Sequence, residues 1–327
     1  MSRTSRRTPR WYRILPLAVL LLALSTPSQA NLPLAGQHYP NGVEDFVVGA
    51  LPPPGTYLKT YFGLIQKDRL MDDKGSNTGL DFEADVTVVV PRFIWVSPYT
   101  VLGASWGMQA FFPLYWADVR FPVSTPGGPV ELGSRQSGLG DIIVNPFILG
   151  WHFSPNFHMV ATVDVWVPSG NYESDDLASQ ILSKNHWTFE PVVAVSYLHS
   201  GFDFSAKLMY DFNTKNDDYN LIGVGKGELT PGQEFHVDYA VSYAHKEGLR
   251  YGLSGYSYWQ TTKDEFEADG GGPTIKGDQG QVHALGPTVK YWPDQGRFSA
   301  VLKHHWEFGA KNLPEGQATW LNVVWAF

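Results

Sequence analysis

The chain has 327 residues, with 24 lysines and arginines against 32 aspartates and glutamates, and no cysteine. The acidic balance argues against a nucleic-acid partner, because phosphate recognition needs positive charge. Without thiols, a disulfide framework, a thiolate metal site and a cysteine nucleophile are all excluded.

In chain order, the first element is an export signal. Arg3, Arg6, Arg7, Arg10 and Arg13 precede an apolar stretch from Ile14 to Leu24, and Ser28-Gln29-Ala30 forms a small-residue cleavage site. The stretch is short for a membrane span, so residues 1–30 read as a secretory signal peptide. Removing these five arginines leaves 19 basic against 32 acidic residues, a net charge of −13. Residues 31–54 follow and are not strand-like. They end in Pro52-Pro53-Pro54, a stiff extended link. Phe46, Val47, Val48 and Leu51 are apolar and need cover. Contact with the following domain as a small plug is expected, with a periplasmic position as the alternative.

From Thr56 the sequence alternates with period two. It predicts twelve strands: 56–67, 80–96, 99–116, 139–152, 157–168, 186–198, 202–213, 233–245, 249–261, 281–292, 297–309 and 318–327. Long and short gaps alternate between them. Ser97-Pro98, Ser154-Pro155-Asn156, Ser200-Gly201, Glu247-Gly248 and Pro293-Asp294-Gln295-Gly296 supply turn chemistry to the short ones. Soluble strands average about five or six residues, and these run about twice that. No apolar run past the signal is long enough for a membrane helix. The 12 tryptophans and 16 tyrosines suit girdles at two membrane interfaces. Residues 55–327 therefore read as an all-β, transmembrane, antiparallel up-and-down β-barrel of about twelve strands, with short turns on the periplasmic rim and long loops outside. Ala318 to Phe327 alternate strictly and end on an aromatic. This strand needs the first one to close on its edge, and its terminal Phe327 is expected to engage the barrel-assembly machinery. The implied location is the outer membrane of a Gram-negative bacterium, with outer-membrane lipid around the barrel.

Apolar faces should meet lipid, so the opposite parity points inward. That rule assigns Lys59, Glu83, Asp85, Gln109, Asp141, Asn145, Asp164, Glu190, Asp203, Lys207, Asp211, Asp238, Arg250, Lys303 and Glu307 to the lumen. In the second strand it sends Phe82, Ala84, Val86, Val88 and Val90 to lipid. Tyr61, Phe111, Phe147, Trp166, Tyr256 and Tyr258 fall inside. Charges mixed with large aromatics imply a constricted passage for small hydrophobic or aromatic solutes. Such interior charges also serve simply as paired groups that hold the barrel's shape.

Several phrases resemble one known family. They include His38-Tyr39-Pro40-Asn41-Gly42-Val43-Glu44-Asp45, Leu51-Pro52-Pro53-Pro54-Gly55-Thr56-Tyr57, Ser137-Gly138-Leu139-Gly140-Asp141-Ile142 and Asn145-Pro146. Val167-Pro168-Ser169-Gly170-Asn171-Tyr172, Gly252-Leu253-Ser254-Gly255-Tyr256 and Ala284-Leu285-Gly286-Pro287 continue the likeness. Together they resemble the transporter-like outer-membrane family of the meta-pathway of phenol degradation, over nearly the whole mature chain. The resemblance implies a barrel linked to catabolism of aromatic compounds, as a route through the outer membrane, and transfers no binding residues.

The residues give no catalytic reading. His199-Ser200 falls at a turn, and His304-His305 alternate across the sheet, so neither offers the base-and-nucleophile geometry of a hydrolase. Asp72-Asp73, Asp175-Asp176 and Asp217-Asp218 lack calcium-loop spacing and read as solvated loops. No cofactor or metal ligand set is expected. The reading is a passive channel, with a structural or surface-interaction barrel as the alternative and a barrel hydrolase third.

Overall fold

The computed structural model describes residues 36–125, 128–246, 248–293 and 297–327, so the expected signal peptide lies outside the described residues. In chain order the elements are β1 (Gly55–Leu70), β2 (Glu83–Val101), β3 (Ala104–Phe111), β4 (Leu114–Thr125), β5 (Gly128–Leu139), β6 (Ile142–His152) and β7 (Phe157–Val167). A short helix α1 (Ser179–Leu182) precedes β8 (Thr188–His199), β9 (Phe202–Asn213), β10 (Asn216–Leu221), β11 (Gly225–Thr230), β12 (Glu234–Lys246) and β13 (Leu249–Gln260). Then come β14 (Glu265–Ala268), β15 (Ile275–Lys276), β16 (Gln281–Tyr291), β17 (Phe298–Lys311) and β18 (Pro314–Ala326).

Fourteen strands form one antiparallel sheet, closed because β1 pairs with both β2 and β18. The terminal strand is thereby satisfied, from Tyr57 opposite Ala326 to Leu70 opposite Pro314, and no free edge remains between the first strand and the last. β2 pairs with β3 through its second half and with β4 through its first. Hence β3 and β4 are one stave interrupted at Phe112-Pro113, where proline withholds an N–H. β5 and β6 are likewise one stave, interrupted at Gly140-Asp141. The result is a twelve-stave transmembrane barrel. Its outside is aromatic and aliphatic: Phe93, Trp116, Phe204, Leu253, Leu302 and Trp325 are all exposed, as a lipid-facing surface requires.

Four predicted features are corrected. Ser97-Pro98 is not a turn, since β2 runs on to Val101. Pro98 lies where the β2–β3 register slips, between Val96 and Thr100, a position that tolerates a missing donor. The turn is Leu102-Gly103, with φ of 53° and 72°, the paired left-handed conformation that a two-residue hairpin favours. The gap at 117–138 is no loop: β4 and β5 pair from Leu114 opposite Leu139 to Thr125 opposite Gly128, as a hairpin. The expected loop before the last strand is also absent, because β17 and β18 extend until only Asn312 and Leu313 join them. Finally, Phe147 faces lipid. The register of β6 against β7 shifts between Val144 and Ile148, and that bulge turns Phe147 outward.

The long loops carry structure of their own. β10, β11, β14 and β15 form a separate four-stranded sheet with a small core of Tyr219, Leu229 and Phe266. These strands belong to the connections between β9 and β12 and between β13 and β16, so they cover the long-loop rim.

Candidate functional site: a plugged lumen

Residues 36–54 run through the barrel from the short-turn rim, where Pro52–Pro54 join β1, to the long-loop rim. The path is fixed by a ladder of contacts. Near the short turns, the Gly49 N–H donates to Ser196 Oγ (2.8 Å) and the Val47 N–H to Asp203 Oδ2 (3.0 Å). At mid-height Asp238 accepts from the Gly42 N–H (2.9 Å), the Glu44 N–H (3.2 Å) and Tyr39 Oη (2.8 Å). From β17, three staves away around the wall, Lys303 Nζ donates to the carbonyls of Val43 (2.8 Å) and Glu44 (2.6 Å). Asn322 Nδ2 reaches the Val43 carbonyl and Asp45 Oδ2, both at 2.9 Å. A plug with no secondary structure cannot satisfy its own backbone. The wall supplies the missing partners.

Glu44 is the electrostatic centre of the plug. Its carboxylate accepts from Lys59 Nζ (2.8 Å), Arg92 Nη1 (2.9 Å) and Tyr61 Oη (2.9 Å). Two cations converge on one carboxylate, with Gln109 (2.8 Å) taking a further guanidinium hydrogen. A buried charge is tolerated when it is paired and hydrogen-bonded in this way. At the long-loop end, His38 Nε2 lies 2.8 Å from Asp141 Oδ2. Asp141 also accepts from the N–H groups of Ser169, Gly170 and Lys184 and from Ser183 Oγ. Burial pushes Lys184 down to about 8, and burial with nearby His38 takes His186 down to about 3.

Two cavities flank the plug. The outer one, about 460 Å³, is walled by Phe82, Val86, Tyr115, Val119, Phe121 and Trp320 and floored by residues 36–41. Its lining is mostly apolar. The inner one, about 270 Å³, lies beside Glu44–Pro52 and opens toward the short-turn rim. Between them lies a small pocket of about 30 Å³, around Tyr39, Pro40, Val43, Tyr61, Phe111 and Trp166. A benzene-sized ring needs a cavity on the order of 150 Å³. The waist there is too narrow for such a ring, while the outer chamber has ample room.

Of the twenty-one residues assigned to the lumen, the structure brings all but Glu83, Asp85 and Phe147 to the inner side. Lys59, Asp141, Asp203, Asp238 and Lys303 touch the plug as described. Lys207 places its ammonium over the Tyr39 ring, 4.6 Å from the centroid. Trp166 lies 4.4 Å from the His38 ring and donates Nε1–H to Glu190 Oε2 at 2.7 Å. Phe111 sits 4.7 Å beneath the Arg92 guanidinium, Tyr256 bonds Glu307, and Arg250 donates to Ser242 at 3.0 Å. Glu83 and Asp85 are corrected. They stand on the outer face, with Glu83 on Arg120 (2.9 Å) and Asp85 on Gln66 (3.2 Å). The valines Val86, Val88 and Val90 point inward instead, buried with Tyr61 and Trp320. Gly63, opposite Val88, makes this possible: a Cβ there would meet the Trp320 ring at 2.5 Å. Arg92, Asn322 and His38 escaped the sequence reading. Glu44-Asp45, an acidic pair set in an apolar segment, was the available signal that interior cations await the plug.

A family model described as "Putative MetA-pathway of phenol degradation" matches residues 67–323. Among solved structures, the chain is similar to the COG4313 outer membrane channel from Pseudomonas putida F1. That likeness has a TM-score of 0.69 at 18% identity, covering 86% of this chain and 98% of that one. It is also similar to the transport unit of the autotransporter AIDA-I from Escherichia coli, with a TM-score of 0.52 at 9% identity, covering 84% and 90%. No curated protein sequence matches. At these identities the two structures speak for the fold.

Proposed function

Since the chain belongs to the family of the MetA-pathway of phenol degradation, we propose that it is an outer-membrane channel through which small hydrophobic or aromatic molecules pass passively, with residues 36–54 as its gate. The observation that carries this reading is the apolar chamber of about 460 Å³ on the long-loop side, closed at its floor by the plug. An aromatic ring entering it exchanges water for Phe82, Tyr115, Phe121 and Trp320, a favourable transfer of roughly 25 cal/mol per Å². Onward passage needs only that the plug yield at Tyr39 and Pro40. Binding stays weak enough for the solute to leave, as conduction requires. On this reading the barrel sits in the outer membrane of a Gram-negative bacterium and enters it by way of its assembly machinery, which engages the strand ending at Phe327. It performs no chemistry. A fluorescence or radiotracer assay of phenol entering proteoliposomes tests the proposal. Deleting residues 36–50 should raise uptake at least tenfold in barrels that still show heat-dependent gel mobility. A plug-free barrel as impermeable as the intact one would leave a structural or surface-interaction role.

A further inference from the structure

Three buried side chains from neighbouring staves converge beside the plug: Asp211 on β9 and Glu234 and His236 on β12. Their donor atoms all lie within 4.8 Å of one another. None is more than 3% exposed. His236 Nε2 lies 3.0 Å from Asp211 Oδ2 and 3.6 Å from Glu234 Oε2. On the other side of the ring, Nδ1 is 2.8 Å from Asn41 Oδ1. The Asn41 amide has a defined orientation, because its Nδ2 donates to Gln37 Oε1 at 2.5 Å. Its oxygen therefore faces Nδ1, which must carry the hydrogen of that bond. Its other nitrogen, Nε2, faces the two carboxylates, and a positive species, a proton or a metal ion, must stand between them.

Two orphaned atoms point to what that species is. Asp211 Oδ1 and Glu234 Oε2 are buried without a hydrogen-bond partner. Leaving such buried oxygens unsatisfied is costly. Among the described residues, the ion pairs that these carboxylates form within 4 Å are with His236, and the Lys184 ammonium, bonded to the Gln180 carbonyl at 2.8 Å, lies farther off. One imidazole nitrogen and two carboxylates, with oxygens 3.0 and 3.6 Å from the nitrogen and all three donors within 4.8 Å of one another, suit a first-row divalent metal whose bonds to N and O are about 2.0–2.2 Å. The Nδ1–H to Asn41 contact is the outer-shell hydrogen bond that metal-bound histidines use to fix their tautomer.

We propose that Asp211, Glu234 and His236 form a buried site for a divalent transition metal, with Zn²⁺ as its probe, and that Asn41 of the plug orients it. The ion neutralises the two carboxylates and locks His236 in the tautomer that holds Asn41. Metal in the wall and a seated plug thus favour each other. A transition metal is preferred over Mg²⁺ or Ca²⁺ because nitrogen is among the ligands.

The test refolds the full mature chain into detergent with Zn²⁺, removes excess by desalting, and measures retained metal by mass spectrometry. One Zn²⁺ per barrel is expected. Glu234→Gln and Asp211→Asn should lose it, while His152→Ala in the exposed His152–His158 pair should keep it. Asn41→Leu leaves all three ligands in place and should weaken Zn²⁺ binding about 10- to 100-fold. Heat-dependent gel mobility confirms that each variant has folded. Folded wild type that retains no Zn²⁺ would show that a proton fills the gap as imidazolium, and the proposal would fail. Retention unchanged by Glu234→Gln and Asp211→Asn would overturn it as well, and retention unchanged by Asn41→Leu would overturn the link to the plug.

Discussion

Lys303 shows how much of the closed state hangs on single side chains. It is 1% exposed, and its ammonium holds two successive plug carbonyls. Hydrogen bonds to a charged group contribute about 1.5–3 kcal/mol each, so even partial loss matters at the waist. Lys303→Met keeps the length of the side chain and removes both bonds. Planar-bilayer recordings of this variant should show openings about 30-fold more frequent, the equivalent of about 2 kcal/mol. A closed fraction equal to wild type would mean that Asn322 and Asp238 carry the plug unaided. At this scale the sequence was legible where the lipid-facing rule applied and misleading at Glu83 and Asp85. Those acids pair with arginine and glutamine on the outer face, and period-two alternation says nothing of how high along a stave a residue sits. Val86 and Val88 met the reverse problem: an apolar chamber inside the barrel accepts the same residues as lipid does.

At the scale of elements, alternation located every stave of the barrel but not the breaks within them. Phe112-Pro113 and Gly140-Asp141 interrupt two staves without altering their direction, and the β4–β5 hairpin hid in what looked like a loop. β10, β11, β14 and β15 are short, and their pairing joins loops far apart in sequence, so no local pattern announces them. The plug is the extreme case. Nothing in residues 36–54 repeats, and its partners Asp203, Asp238, Lys303 and Asn322 lie more than a hundred residues away. Its fit to the wall is close at Gly49, where an added Cβ would meet the Val195 and Ser196 backbone at 2.4–2.7 Å. Gly49→Val should therefore lift the lower plug off β8 and break the Gly49–Ser196 bond. Dye efflux from proteoliposomes should rise severalfold, with the barrel's heat-dependent mobility unchanged. Efflux equal to wild type would place the seal elsewhere.

For the whole molecule, closure of β18 on β1 could be anticipated from the unpaired edge of a terminal aromatic strand, and the assignment of inside and outside followed for most staves. What could not be read was the division of the lumen into two chambers, because it depends on the plug's path. The chambers differ in character. The outer is largely aromatic and aliphatic, while the inner is bordered by Lys59, Arg92, Asp164 and Lys207. This asymmetry predicts selectivity at the entrance. Val119→Asp, placing a charge on the outer chamber wall, should lower phenol uptake by about tenfold, since a penalty of about 1.4 kcal/mol suffices. Passage of small ions through the plug-deleted barrel should be untouched. Equal loss of both would indicate a collapsed barrel and not a selective chamber.

The plug is continuous with β1 through Pro52-Pro53-Pro54 and Gly55. A stopper leashed by so short and stiff a lead cannot diffuse away when displaced. Its effective concentration at its seat stays in the millimolar range or above for a short tether. Reclosure is then a first-order event, indifferent to how much protein the membrane holds. On the proposed gating, each opening is brief and self-cancelling, and the barrel admits solutes one encounter at a time without leaving the membrane perforated.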